Sequence, residues 1–155
     1  MTTLVAGDPA PDFALADQAG STVKLSDLRG RRVLLYFYPK ADTPGCTTQS
    51  CAVRDARDDF EELEADVLGI SPSPVDAQAR FDSKFSLGFP LLSDPVHETA
   101  EAYGVWGERS LYGKKYMGIV RSSFLLGADG RIEGAWYGVT PKETVPLALA
   151  ALRSP

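Results

Sequence analysis

Val33-Leu-Leu-Tyr-Phe-Tyr-Pro-Lys-Ala-Asp-Thr-Pro-Gly-Cys-Thr-Thr-Gln-Ser-Cys51 is the stretch that decides the fold. Its opening run, Val33 to Tyr38, is β-branched, aliphatic or aromatic without polar alternation, and is bounded by Arg31-Arg32 and Pro39. Such a run predicts a strand buried on both faces, as in a sheet flanked by helices. Thr43-Pro44 then places a good cap before a proline suited to the first helical position, so a helix starts at 44. Strand, short loop and helix in this order open an α/β unit.

The rest of the chain extends the pattern. Asp66-Val-Leu-Gly-Ile-Ser71 has the character of the first strand. Ser122-Ser-Phe-Leu-Leu126 and Ile132-Glu-Gly-Ala-Trp-Tyr-Gly-Val139 flank the turn signal Gly127-Ala-Asp-Gly130, which predicts an antiparallel hairpin. Phe13-Ala-Leu15 and Thr22-Val-Lys24, either side of Asp17 to Gly20, predict a smaller leading hairpin. Cap-proline pairs recur at Ser73-Pro74, Asp94-Pro95 and Thr140-Pro141, and two continue into capping boxes, Ser73 with Asp76 and Thr140 with Glu143. Helices are expected over about 44–64, 74–86, 95–103 and 141–152. The sum is one domain over 1–155: a three-layer α/β fold whose central mixed sheet is parallel in the middle and antiparallel at its edge. Gly104 to Gly118 is the one long stretch without a regular pattern, and Trp106 and Tyr112 are expected to pack it down.

Composition narrows the function classes. The chain has 155 residues and a net charge of −5, which disfavours binding to nucleic acid or anionic membrane, since either wants a basic face. The run Val33 to Tyr38 falls far short of the ~20 apolar residues of a membrane span. The start, Met1-Thr-Thr-Leu-Val-Ala-Gly, lacks the features of a secretory signal, so a soluble cytoplasmic protein is expected. Cys46, Cys51 and His97 are the only Cys and His residues, too few for a structural zinc site. His97 lies in a proline-rich acidic stretch and reads as a solvated helix residue.

That leaves the cysteines. In a cytoplasmic chain, closely spaced cysteines point to redox chemistry, with inert buried thiols as the other reading. Cys46 follows Pro44 by two residues, in the first turn of the expected helix, where unpaired N–H groups and the helix dipole favour an anion. It also follows the carboxyl end of the buried strand, where α/β active sites lie. Its position makes it the nucleophile. Cys51 is five residues on, which on an α-helix puts the Cα atoms about 9 Å apart, beyond the ~7 Å a disulfide can span. Joining the two sulfurs therefore requires the first one or two turns to unwind. Val53, Ala56, Phe60 and Leu63 mark the buried stripe, and Cys51 is expected to point away from it toward solvent.

The segment Tyr36 to Cys51 resembles the active-site segment of peroxiredoxins, closest to the bacterioferritin-comigratory-protein or peroxiredoxin Q branch. The family's Pro-x-x-x-Thr-x-x-Cys pattern falls on Pro39, Thr43 and Cys46, and its distant arginine on Arg121 within Gly118-Ile-Val-Arg-Ser-Ser-Phe-Leu-Leu126. Further matching blocks are Gly7 to Phe13, Tyr103 to Glu108 and Gly113 to Met117. The resemblance implies a thioredoxin-like fold with an extra N-terminal hairpin, and reduction of hydrogen peroxide and organic hydroperoxides without metal or flavin. It makes Cys46 peroxidatic and Cys51 resolving, through an intramolecular disulfide recycled by thioredoxin or, in second place, glutaredoxin. Thr43 would hydrogen-bond the thiolate and the peroxide, Arg121 would stabilise the thiolate and the leaving oxygen, and Pro39 would wall the sulfur from water. The Gly45 and Cys46 amides would be further donors. With Pro155 as the last residue and no third cysteine, a C-terminal resolving cysteine is not expected and a monomer is. Gln49 departs from the Glu that many relatives carry.

Two rival readings stay open at this level. A protein disulfide oxidoreductase usually has two residues between its cysteines, and the spacing here speaks against it. A peroxide-responsive sensor or binding module would use the same cysteines to change a partner surface.

Overall fold

The computed structural model describes residues 3–154; Met1 and Thr2, on which the expectation about the leader partly rests, and Pro155 lie outside the described residues. Among the described residues nine strands follow in chain order: β1 (Ala14–Ala16), β2 (Thr22–Lys24), β3 (Arg32–Phe37), β4 (Ala65–Ser71), β5 (Leu91–Ser93), β6 (Trp106–Leu111), β7 (Lys114–Ile119), β8 (Ser122–Leu126) and β9 (Ile132–Trp136). The helices are α1 (Pro44–Asp55), α2 (Arg57–Glu62), α3 (Val75–Phe85), α4 (Glu98–Ala102) and α5 (Thr144–Arg153), with a 3-10 turn at Leu25–Leu28. Seven strands form one mixed sheet in the order β2-β1-β5-β4-β3-β8-β9. β3, β4 and β5 run parallel, while β8 and β9 continue antiparallel from β3. The leading β1–β2 hairpin joins the far edge through β5.

β3 is the spine, buried on both faces as its composition predicts. Val33, Leu35 and Phe37 belong to one core with Leu68, Ile70, Tyr103 and Phe124. Leu34, Tyr36 and the following Tyr38 belong to the other, with Cys46, Val53, Phe60, Phe81 and Ala148. The second core lies under α1, α2, α3 and α5 and holds the site.

Several local expectations change. The helix expected over 44–64 breaks at Ala56, whose N–H is shared between the Ala52 and Val53 carbonyls, and it ends near Glu64, held at φ 55°. The stripe of Val53, Ala56 and Phe60 remains continuous across that break, so packing rather than unbroken hydrogen bonding keeps the two pieces in line. The Ser73–Asp76 capping box does not form. Pro74 takes the cap position, and Ser73 Oγ instead accepts the Ala41 N–H at 3.0 Å, tying down the loop that leads into α1. Asp94 does cap, but from a distance: its carboxylate accepts the N–H groups of Thr99 and Ala100. α4 therefore starts at Glu98 rather than 95, after His97 at φ 50°. The Thr140 N–H is accepted by Glu143, half of the expected box, yet the α-helix begins only at Thr144.

Gly104 to Gly118 is not irregular. It holds the β6–β7 hairpin, a separate two-stranded sheet whose turn is Tyr112-Gly113, both at positive φ as a type I′ turn requires. Tyr in place of the usual Asn hid the signal, and Tyr112 is 97% exposed rather than packed down. Trp106 does pack, its ring stacked on His97 at 3.8 Å. His97 is thus a cap residue under an aromatic lid, 3.3 Å from the Glu101 carboxylate, and not a solvated helix residue.

Candidate active site

The first turn of α1 sits at the carboxyl end of β3, and Thr43 occupies the cap position in extended backbone. Its side chain makes no capping bond; Oγ1 donates to the Lys40 carbonyl at 2.8 Å. The turn's amides are therefore left without the usual hydroxyl acceptor, which keeps the positive end of α1 open to an anion. Pro39 is exposed beside this loop, and Thr43 and Gly45 are half-buried.

Cys46, in that first turn, is fully buried. Arg121 reaches it from the residue before β8: Nη2 lies 3.4 Å from Cys46 Sγ. The other arm of the fork, Nη1, donates to Gln49 Oε1 at 2.5 Å. Gln49 in turn donates from Nε2 to Thr144 Oγ1 at 2.8 Å, and is itself wholly buried. The chain Cys46–Arg121–Gln49–Thr144 links α1, the β8 entry and the first residue of α5. A neutral amide at 49 accepts from the guanidinium without neutralising it, so the full positive charge is available at the sulfur. Gly45 has a spatial reason: a Cβ there would stand 3.1 Å from Arg121 Nη2 and 3.4 Å from Pro141 Cγ.

Cys51 is a free thiol in the same helix, as is Cys46. It does not face bulk water as its angular position predicts. It is half-buried and packs against the core that contains Cys46, in company with Phe85 and Phe89. Arg54 bonds to Asp55 and donates to the Phe85 carbonyl at 2.6 Å.

The structure thus brings Cys46, Arg121, Gly45 and Thr43 to one place and holds Cys51 apart from Cys46. Four contributors to this arrangement escaped the sequence: Ser73, Thr144, Ser50 and Tyr36. Ser50 and Tyr36 are fully buried and share a 2.9 Å hydrogen bond. The only trace was a polar pair, Gln49-Ser50, at the i+3 and i+4 positions from Cys46, where an amphipathic helix places apolar residues.

Comparisons with known proteins agree with one another. The AhpC/TSA family model matches residues 6–135. Peroxiredoxin Bcp of Escherichia coli K12 is 54% identical over 133 residues, covering 86% of this chain and 85% of that protein. Peroxiredoxin Bcp of Bacillus subtilis is 45% identical over 97% of this chain and 96% of its own length. Among solved structures, the Xanthomonas campestris bacterioferritin comigratory protein superposes with a TM-score of 0.89 at 34% identity, covering 96% of this chain and 97% of that one. Peroxidoxin BcpB of Mycobacterium tuberculosis does so with 0.87 at 38% identity, covering 97% of each.

Proposed function

We propose that this chain, which belongs to the AhpC/TSA family, reduces hydroperoxides with Cys46 as the attacking thiolate. Thiol peroxidase chemistry is what its peroxiredoxin relatives carry, and alkyl peroxide reduction is the activity described for the Xanthomonas campestris protein. One observation supports the residue assignment above all others: the Arg121 guanidinium and the open first turn of α1 converge on one buried sulfur.

The cycle runs as follows. The Cys46 thiolate attacks the distal oxygen of ROOH; an S–O bond forms, the O–O bond breaks, and RO⁻ takes a proton to leave as ROH or water. Arg121 stabilises the thiolate and then the charge on the departing oxygen, with the Gly45 and Cys46 amides as further donors. Thr43, its own proton committed to Lys40, offers lone pairs to the peroxide O–H. Pro39, exposed beside the loop that leads into α1, is the residue assigned to keep water from the sulfur. Because Cys46 is fully covered, small displacements around the first turn must admit the peroxide. α1 then opens, Cys51 attacks the sulfenic sulfur, water leaves, and a Cys46–Cys51 disulfide forms. An external dithiol protein of the thioredoxin kind returns two electrons by thiol–disulfide exchange. We assign the working form as a monomer in the cytoplasm, whose reducing poise suits a recycled disulfide.

Stopped-flow fluorescence tests this reading. Trp136 packs against the core that holds Cys46 and serves as reporter. The expected result is a fast phase whose rate rises linearly with peroxide and vanishes in Cys46→Ser. A rate no faster than that of a free thiol would overturn the assignment in favour of a sensor.

A further inference from the structure

The buried residues of α1 are Cys46, Gln49, Ser50 and Val53, an i, i+3, i+4, i+7 face whose two central members are polar. Each of the two is bonded to an element outside the helix. Gln49 serves Arg121 and Thr144; Ser50 Oγ meets Tyr36 Oη of β3 at 2.9 Å. The Tyr36 ring is fully buried. It stacks on Tyr38 at 5.6 Å and meets Phe89 edge-on at 6.2 Å. Its register partner in β4 is Gly69, where a Cβ would stand 2.8 Å from Tyr36 Oη. A glycine at that point leaves the room in which the hydroxyl turns toward α1. Burial also pushes the phenol above the ordinary tyrosine range, so it remains a neutral hydrogen-bonding group at working pH.

We propose that the Tyr36–Ser50 hydrogen bond is a latch that sets how fast α1 opens once Cys46 is oxidised, and so how the sulfenic acid divides between two fates. This rests on the cysteine roles assigned above. One fate is the disulfide with Cys51. In the other, the Cys46 sulfenate attacks a second hydroperoxide; a second S–O bond forms, the O–O bond breaks, and a sulfinic acid and an alcohol result. Cys51 cannot leave its helical position without Ser50, its neighbour in the chain. On opening, the Ser50 hydroxyl and Gln49 amide exchange protein partners for water, whereas the Tyr36 hydroxyl stays inside and loses its partner. Apolar residues at 49 and 50 would hold the helix by burial, which water cannot replace. The polar pair holds it by bonds that can be let go one at a time. Tyr36 and Ser50 are positioning residues: they bond to each other, and the hydrogen bond to the Cys46 sulfur comes from Arg121.

The test is Tyr36→Phe, Ser50→Ala and the double variant, followed by stopped-flow through both phases and by hydrogen exchange of the reduced protein. Each single variant is expected to speed the second phase, disulfide formation, about fivefold, the factor equivalent to one buried hydrogen bond, while the first phase keeps its rate. The double variant should be no faster than the singles, because all three lack the same bond. Inactivation by excess peroxide should then need about fivefold more oxidant. Exchange protection should fall in α1 and not in β3 or β4, which separates a latch from general loosening of the domain. An unchanged second phase beside a normal first phase would overturn the latch alone. Loss of the fast first phase from the unmodified protein would overturn the cysteine roles and the latch's kinetic part with them, and unchanged α1 exchange in the variants would overturn the latch whatever the peroxide kinetics.

Discussion

Arg121 Nη2 lies 3.4 Å from Cys46 Sγ across a sequence separation of 75 residues. The same guanidinium is aimed by Gln49, so a planar fork spans two acceptors that a point charge could not serve together. Arg121→Lys is therefore expected to behave almost as Arg121→Ala. Both should lower the second-order rate of Cys46 oxidation by about a hundredfold, the usual effect of removing one donor to developing charge. Peroxide consumption under pseudo-first-order conditions checks this; a lysine variant with near-normal rate would show that charge alone suffices.

Gln49→Leu keeps the volume and removes both hydrogen bonds. Thr144 Oγ1, fully buried, and Arg121 Nη1, half-buried, are left unpaired, at a cost of about 1–3 kcal/mol in stability. Denaturant titration should show that loss together with slower Cys46 oxidation. Gln49→Glu should restore most of both, since a carboxylate accepts from Arg121 and from the Thr144 hydroxyl.

At Gly45 the backbone is ordinary helix, so alanine costs nothing in conformation. Its Cβ would press on Arg121 Nη2 from 3.1 Å. We expect Gly45→Ala to unfold at an unchanged temperature yet oxidise at least tenfold more slowly, because small misplacements of a reacting group are expensive in rate. Parallel melting and kinetic measurements separate the two effects.

Cys51→Ser should leave the first oxidation intact and abolish turnover coupled to a dithiol protein. Mass spectrometry after one equivalent of peroxide should find Cys46 as sulfenic acid in place of the disulfide. Undiminished turnover would mean that an outside thiol resolves the sulfenate.

Burial raises Tyr36, Tyr38 and Tyr103 above the tyrosine value of the unfolded chain. A group raised in the folded state contributes stability that is complete below its unfolded pKa, about 10, and is lost as pH rises toward the folded value. Stability should thus be insensitive to these groups near neutrality and fall above about pH 10. Tyrosinate absorbance and circular dichroism followed together should show these phenols ionising only as the fold is lost.

Much of this fold is legible in neighbouring residues of the sequence. The double-sided apolar run around Val33–Tyr38 dictates a central strand, the cap and proline at Thr43-Pro44 dictate a helix start, and together they put Cys46 in a first turn at the end of a buried strand. These are properties of neighbouring residues, carried by hydrophobic period, dihedral restriction and hydrogen-bond supply within a few positions. The β6–β7 hairpin is not legible in the sequence because its turn uses Tyr112, a residue whose local preference gives no warning of φ near 51°. Cys51 is half-buried where an outward-facing position was expected, because helix periodicity tells which way a side chain points and not how much of it the packed core covers. What only the folded chain decided were the long-range pairings: Arg121 on Cys46, Gln49 on Thr144, Ser50 on Tyr36. Such bonds join atoms brought together by sheet register and helix docking, and no pattern within one segment encodes the partner on another.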